Sequence, residues 1–169
     1  MHNAEHFLLA VDDSEASYRA VAYVGQIIGG RQNFRVYLLH ALPPLPREFL
    51  DYNGPPEPGP DTQEDEAPLS EEPSYWIAAA TQAAEPVFAR AKGILRQAHV
   101  PEQAVETQIT DAVNTQDIVR NILEAAHTHH CGTLVVGRES FHGLQALVTS
   151  HVGDTLIRQA QGLTVWVVE

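Results

Sequence analysis

The sequence predicts an α/β fold built on a parallel sheet flanked by helices, and three observations predict it. Short, unbroken apolar runs such as Phe7–Val11 and Thr133–Val136 alternate along the chain with longer segments of helical periodicity. The runs are continuous instead of alternating, as expected of strands covered on both faces. Each strand is separated from the next by enough residues for a crossover, so the order reads β-α-β-(loop)-α-β-α-β-α-β and implies parallel strands joined by right-handed connections.

The elements follow in order. Phe7 to Val11 is the first strand, ended by Asp12-Asp13-Ser14. Ser14 is placed to cap a helix, with Ser17 in its first turn, and Ala16, Ala20, Val21, Val24, Ile27 and Ile28 recur at helical spacing. Gly29-Gly30 ends that helix. Phe34 to Ala41 is a second strand. Ser74 opens a long helix in which Ala78, Ala79, Ala83, Val87, Ala91, Ile94, Leu95 and Ala98 fall near one face, with a kink or break expected at Pro86. Ala104 to Ile109 reads as a strand, Asn114 or Thr115 caps a helix that buries Ile118, Val119, Ile122, Leu123 and Ala126, and Leu134–Val136 lies in the fourth strand. Val152 to Ala160 is a short helix facing inward through Val152, Leu156 and Ile157, and Leu163 to Val168 is the fifth strand.

Between the second strand and the long helix the composition changes. Residues 43–73 hold nine prolines, seven acidic residues lie between Glu57 and Glu72, and no Lys or Arg occurs from Glu48 to Ala89. Proline removes backbone donors and like charges repel, so this is an acidic surface loop inserted in a single domain spanning residues 1–169. A loop of this length and composition is expected either as a solvated, mobile insertion or, through Phe49, Leu50 and Tyr52, as a lid or a partner-docking loop.

Bulk properties narrow the function. A net charge of −12 argues against a nucleic-acid partner and against anionic membranes. It does not exclude a small anion held at a local site. A lone cysteine, Cys131, excludes an internal disulfide framework. With no basic leader and an opening apolar run too short to cross a bilayer, the expected location is cytoplasmic.

In an open parallel sheet, ligands gather at the carboxyl ends of the strands where strand order reverses. Asp12-Asp13, His40-Ala41 and the stretch from Gly137 should converge there. Other chemistries fare worse. His127, His129, His130 and Cys131 crowd a helix end, but no carboxylate spacing completes a metal set. Neighbouring Asp12 and Asp13 point in different directions, which disfavours a catalytic dyad. Ser140 and Ser150 near His142 and His151 lack a nucleophile elbow and a third partner. Trp166 is expected in the core or a dimer interface, and Trp76 at the start of the long helix.

LLAVDDSEASYRAV, VYLLHALPP and LVVGRESFHGLQALVTSHVGDTLIRQA followed by LTVWVV together resemble the universal stress protein family over nearly the whole chain. The resemblance implies a five-stranded, Rossmann-like sheet of the adenine nucleotide alpha hydrolase-like kind, and a homodimer paired through the last strand. It implies ATP or a related adenine nucleotide as ligand, with Mg²⁺ left open, and at most a slow ATPase activity, no residue being an obvious base for water. Carried over position by position, the nucleotide-contacting residues are Asp12 and Ala41 for adenine and ribose, and Val136, Gly137, Ser140, Ser150, His151 and Val152 around the phosphates.

The chain departs from the family pattern of Gly, two residues, Gly, nine residues, Gly and a hydroxyl residue. The spacing is intact, but Ser140 and Ser150 stand where glycines are expected and His151 where Ser or Thr is. Glycine permits positive φ and close backbone approach to phosphate; serine held there is strained by about 1 kcal/mol or more. Ser hydroxyls, the helix N-terminus and positive charge from Arg138, His142 and His151 would offset part of the loss. Two functions follow: a stress-response protein with a weakened nucleotide site, or a nucleotide-independent interaction module on the same fold.

Overall fold

The computed structural model describes residues 3–43, 73–112, 115–138 and 151–169, apart from the side chains of Thr115 and His151. The chain runs β1 (Asn3–Ala10), α1 (Glu15–Ile28), β2 (Arg35–Ala41), α2 (Pro73–Gln97), a 3-10 turn (Glu102–Ala104), β3 (Val105–Thr110), α3 (Thr115–Thr128), β4 (Cys131–Gly137), α4 (His151–Gln159) and β5 (Thr164–Val168). The sheet order is β3-β2-β1-β4-β5, with every pair parallel. The order reverses between β1 and β4, and that reversal positions the site.

The unbroken apolar runs follow from two covered faces. Phe7, Leu9 and Val11 turn to one side, where α1 and α2 supply Val21, Val24, Ile28, Val87, Phe88 and Leu95. Leu8 and Ala10 turn to the other, against Ile118, Ile122 and Ala126 of α3 and Val152 and Leu156 of α4. Successive strand residues face opposite ways, so a strand buried on both sides has no room for polar alternation.

Strands β1 and β4 extend beyond their apolar cores. Asn3 at the start of β1 donates its N–H to His130 O at 2.7 Å, and a register irregularity lies between Asn3 and Phe7. At α1, Ser14 accepts the Ser17 N–H at 3.1 Å, as the cap expected from sequence does. The helix ends at Gly29, and Gly30 takes a left-handed φ of +70°.

Two expected helix faces differ. Ala78, Ala79 and Ala83 are exposed, and burial in α2 starts at Ala84. Tyr75 and Ile77 are 52% and 37% exposed, so the first half of the helix extends past the part of the sheet it covers. Ile157 is 54% exposed on α4, whose Val152 and Leu156 reach the core. Pro86 does not break α2: the helix runs continuously through it, with Pro86 and Gln82 both on the solvent side. The carbonyl that a proline leaves without an amide partner therefore meets water. Pro73 is the first residue of α2, a position that costs no amide bond. The proline-rich acidic stretch between Pro43 and Pro73 lies outside the described residues, as does Asn114. Among the described residues no helix is long and apolar enough to cross a membrane.

Candidate functional site

The site grows from the end of β1. The register pairs Ala10 with Leu39 of β2 and with Val136 of β4, so Asp12 emerges level with Ala41 and just past Gly137. Ala41, Val136 and Val152 belong to one buried cluster that also contains Ala10 and Ala112. Small residues here leave the backbone ends of three strands and the start of α4 close together. The tertiary structure thus assembles Asp12, Ala41, Val136, Gly137 and Val152 around the switch point. His151 is the first residue of α4, and Ser140 and Ser150 lie outside the described residues.

Asp12 is held from several directions. Its N–H donates to Ser17 Oγ at 3.1 Å, and Ser17 is fully buried. The Ser14 hydroxyl donates to Asp12 Oδ1 at 2.5 Å while accepting the Ser17 N–H. One hydroxyl therefore caps α1 and orients the carboxylate, a charge-assisted bond of the shorter kind. The preceding residue is tied to β2: Val11 donates its N–H to Leu39 O at 2.8 Å, and its carbonyl lies 2.8 Å from His40 Nδ1.

Asp13 points elsewhere, as adjacent residues at a strand end do. Its Oδ1 accepts from Tyr18 OH at 2.9 Å. Burial, then the hydrogen bond and charge of Asp13, push the Tyr18 hydroxyl up to about 12. Arg90 of α2 lies over the Tyr18 ring at 3.9 Å and pairs with Glu15 at 2.8 Å. Asp13 thus holds the hydroxyl of Tyr18, the α1 residue whose ring meets Arg90 of α2.

Just past β4, Arg138 donates its N–H to Val168 O at 2.7 Å, and its guanidinium pairs with Glu169. The ion pair turns Arg138 toward the end of β5, and both of its side chains are largely exposed.

The histidines beyond the site have structural partners. His129 stacks on Tyr37 with ring centroids 4.1 Å apart, and its Nε2 lies 3.0 Å from Gln108 Oε1. His130 takes φ of 53° after α3, and its N–H donates to His127 O. Among the described residues no three His, Cys, Asp or Glu side chains gather as a metal would require.

Sequence reasoning placed Asp12 and Ala41 but not their supports. The Asp12, Ser14, Ser17 spacing was a usable signal, since Asp and Ser side chains two to five residues apart commonly bond local backbone. The His40 contact had no such signal, because it depends on the parallel register of β1 and β2.

Comparison with known proteins agrees with the fold. A sequence model of the Universal stress protein family matches residues 3–169. Among curated proteins no similar sequence was found. A solved structure of a universal stress protein family member from Burkholderia pseudomallei is similar at TM-score 0.63 and 15% identity, covering 98% of this chain and 96% of that one. A universal stress protein solved in complex with cAMP aligns at TM-score 0.56 and 17% identity over 97% of this chain and 96% of its own. The Archaeoglobus fulgidus universal stress protein in complex with dAMP aligns at TM-score 0.55 and 17% identity over 100% of both chains. At such identities the structural likeness establishes the fold. The family model spans nearly the whole chain and the fold agrees with it, so this chain belongs to the universal stress protein family.

Proposed function

We propose that this chain is a stress-response protein that binds an adenine nucleotide, ATP or a relative of it, at the carboxyl ends of β1, β2 and β4. The observation that carries the reading is the held Asp12 carboxylate standing level with Ala41, beside Val136 and Gly137, at the reversal of strand order. Two structural relatives, solved with cAMP and dAMP, support an adenine ligand over other anions. Affinity is modest, because Ser140, Ser150 and His151 replace the small or hydroxyl residues that let backbone approach phosphate. The base and ribose end therefore carries more of the binding than the phosphate end. The protein acts by occupancy, and any ATP hydrolysis is slow.

The reading includes a cytoplasmic location and a homodimer paired through β5. It also includes a protein partner met through the acidic segment. Calorimetric titration with ATP, ADP and AMP, with and without Mg²⁺, tests the central claim. Saturable binding at or below millimolar ligand is expected, with little gain from added phosphates. No saturation at millimolar ligand sinks it.

The three replaced positions favour one second reading, a nucleotide-independent interaction module on the same fold. In that case only the variant Ser140→Gly, Ser150→Gly, His151→Ser binds nucleotide.

A further inference from the structure

We infer that His40 is a positioning residue for the adenine site, fixing the main chain that carries Asp12; the inference rests on the nucleotide-binding reading above. A carbonyl oxygen only accepts, so the 2.8 Å contact between His40 Nδ1 and Val11 O requires the proton on Nδ1. The imidazole therefore donates to the last peptide unit before Asp12. The same residue, Val11, donates its N–H to Leu39 O at 2.8 Å, so β2 grips Val11 from both its amide and its carbonyl. The N–H of that same peptide unit, the Asp12 amide, is held by Ser17 Oγ, and the Asp12 carboxylate by Ser14.

Without the imidazole donor Ser17 alone holds this peptide plane, from its N–H side, and a tilt of the plane carries Asp12 with it. The His40 ring is itself kept in place: Phe88 of α2 meets it edge-on, with centroids 6.1 Å apart and planes at 77°. The half-buried imidazole thus connects α2 to the nucleotide end of the sheet, through a hydrogen bond that apolar packing orients. Its function is to preorganise Asp12 and not to touch the ligand.

The test compares the unaltered chain with His40→Asn, His40→Gln and His40→Leu. Asparagine can place an N–H donor where Nδ1 stands; glutamine carries its donor one bond further out, and leucine has none. AMP titration is expected to leave His40→Asn within about threefold of the unaltered chain and to weaken His40→Gln and His40→Leu about tenfold, the loss of one partly buried hydrogen bond. Equal affinity in all four, or a loss in His40→Asn as large as in His40→Leu, overturns the inference. Should the unaltered chain bind no AMP, the nucleotide-binding reading falls by itself. The positioning role is then judged without ligand. Nitrogen NMR of His40 is expected to show the Nδ1–H tautomer, and the Asp12 amide to exchange faster in His40→Gln than in His40→Asn. An Nε2–H tautomer, or equal Asp12 exchange in those two variants, overturns it. Using His40→Gln there keeps the result readable if leucine prevents folding.

Discussion

Tyr18 shows how much one side chain in α1 is asked to do. Its hydroxyl donates to Asp13, its ring lies under Arg90, and only 4% of it is exposed. The ion pair beside it, Arg90 with Glu15, is half or more exposed, so water and salt screen it. The hydroxyl bond is the better protected interaction, and Tyr18→Phe should cost about 1 kcal/mol in urea unfolding. The pH dependence has a definite sign. Tyr18 holds its proton more tightly folded, at about 12, than unfolded, at about 10. Its contribution is therefore fully present below pH about 10 and is lost as the pH rises toward 12. Denaturation curves at increasing pH should fall less steeply over that window in Tyr18→Phe. Cys131 titrates in the same direction, burial having pushed its thiol up to about 12. Fully buried and protonated, it should react with a thiol reagent at pH 8 only after urea is added. Prompt labelling of the folded protein would contradict that.

At the scale of elements, the junction of α1 with the end of α2 is the tightest contact described. A Cβ on Gly29 would sit 2.0 Å from the carbonyl oxygen of Ala98, and one on Gly25 would sit 2.9 Å from Ala98 Cβ. Backbone meets backbone there, helped by the Gly30 N–H donating to His99 O at 3.1 Å. Gly29→Ala should destabilise by about 1–3 kcal/mol, because main chain must move. Gly93 sits inside α2, and a methyl group added to it would meet nothing within 4 Å, so Gly93→Ala should stabilise by about 0.5–1 kcal/mol. Thermal unfolding of the two variants in parallel checks both signs. The end of α2 explains why no glycine was needed to stop it. His99 adopts φ of 63°, while Val100 N–H bonds Leu95 O and His99 N–H bonds Arg96 O, closing the last turn.

For the whole molecule, strand order decides what the surfaces can do. Placing β1 in the centre buries its run completely and puts Asp12 at the switch point. Placing β5 at an edge leaves Val167 40% exposed and Trp166 only partly buried against Phe7 and Tyr23. An apolar, outward-facing edge strand is the kind of surface that a second copy covers, which supports the proposed homodimer. Sedimentation should give a dimer for the unaltered chain and a monomer for Val167→Asp; a monomer in both would remove the dimer from the proposal. The number of strands, their parallel sense and the ends of most elements were readable from the sequence, since run length and periodicity report burial directly. The exposed half of α2 was not readable: Ala78, Ala79 and Ala83 keep helical spacing whether or not a partner lies beneath them. The exposure of Ile157 escaped for the same reason, because periodicity marks a face without saying how wide its neighbour is.

The sequence alone determined the α/β alternation, the capped start of α1, the family and the residues at the strand ends. All of these depend on local propensity or on spacing along the chain. The tertiary structure alone decided that Asp12 is supported by Ser14 and Ser17, that His40 donates to the Val11 carbonyl, and that Arg138 turns to Glu169. Those contacts depend on rotamer direction and strand register, which place side chains from distant parts of the chain within hydrogen-bonding reach. Residue spacing carries no record of either.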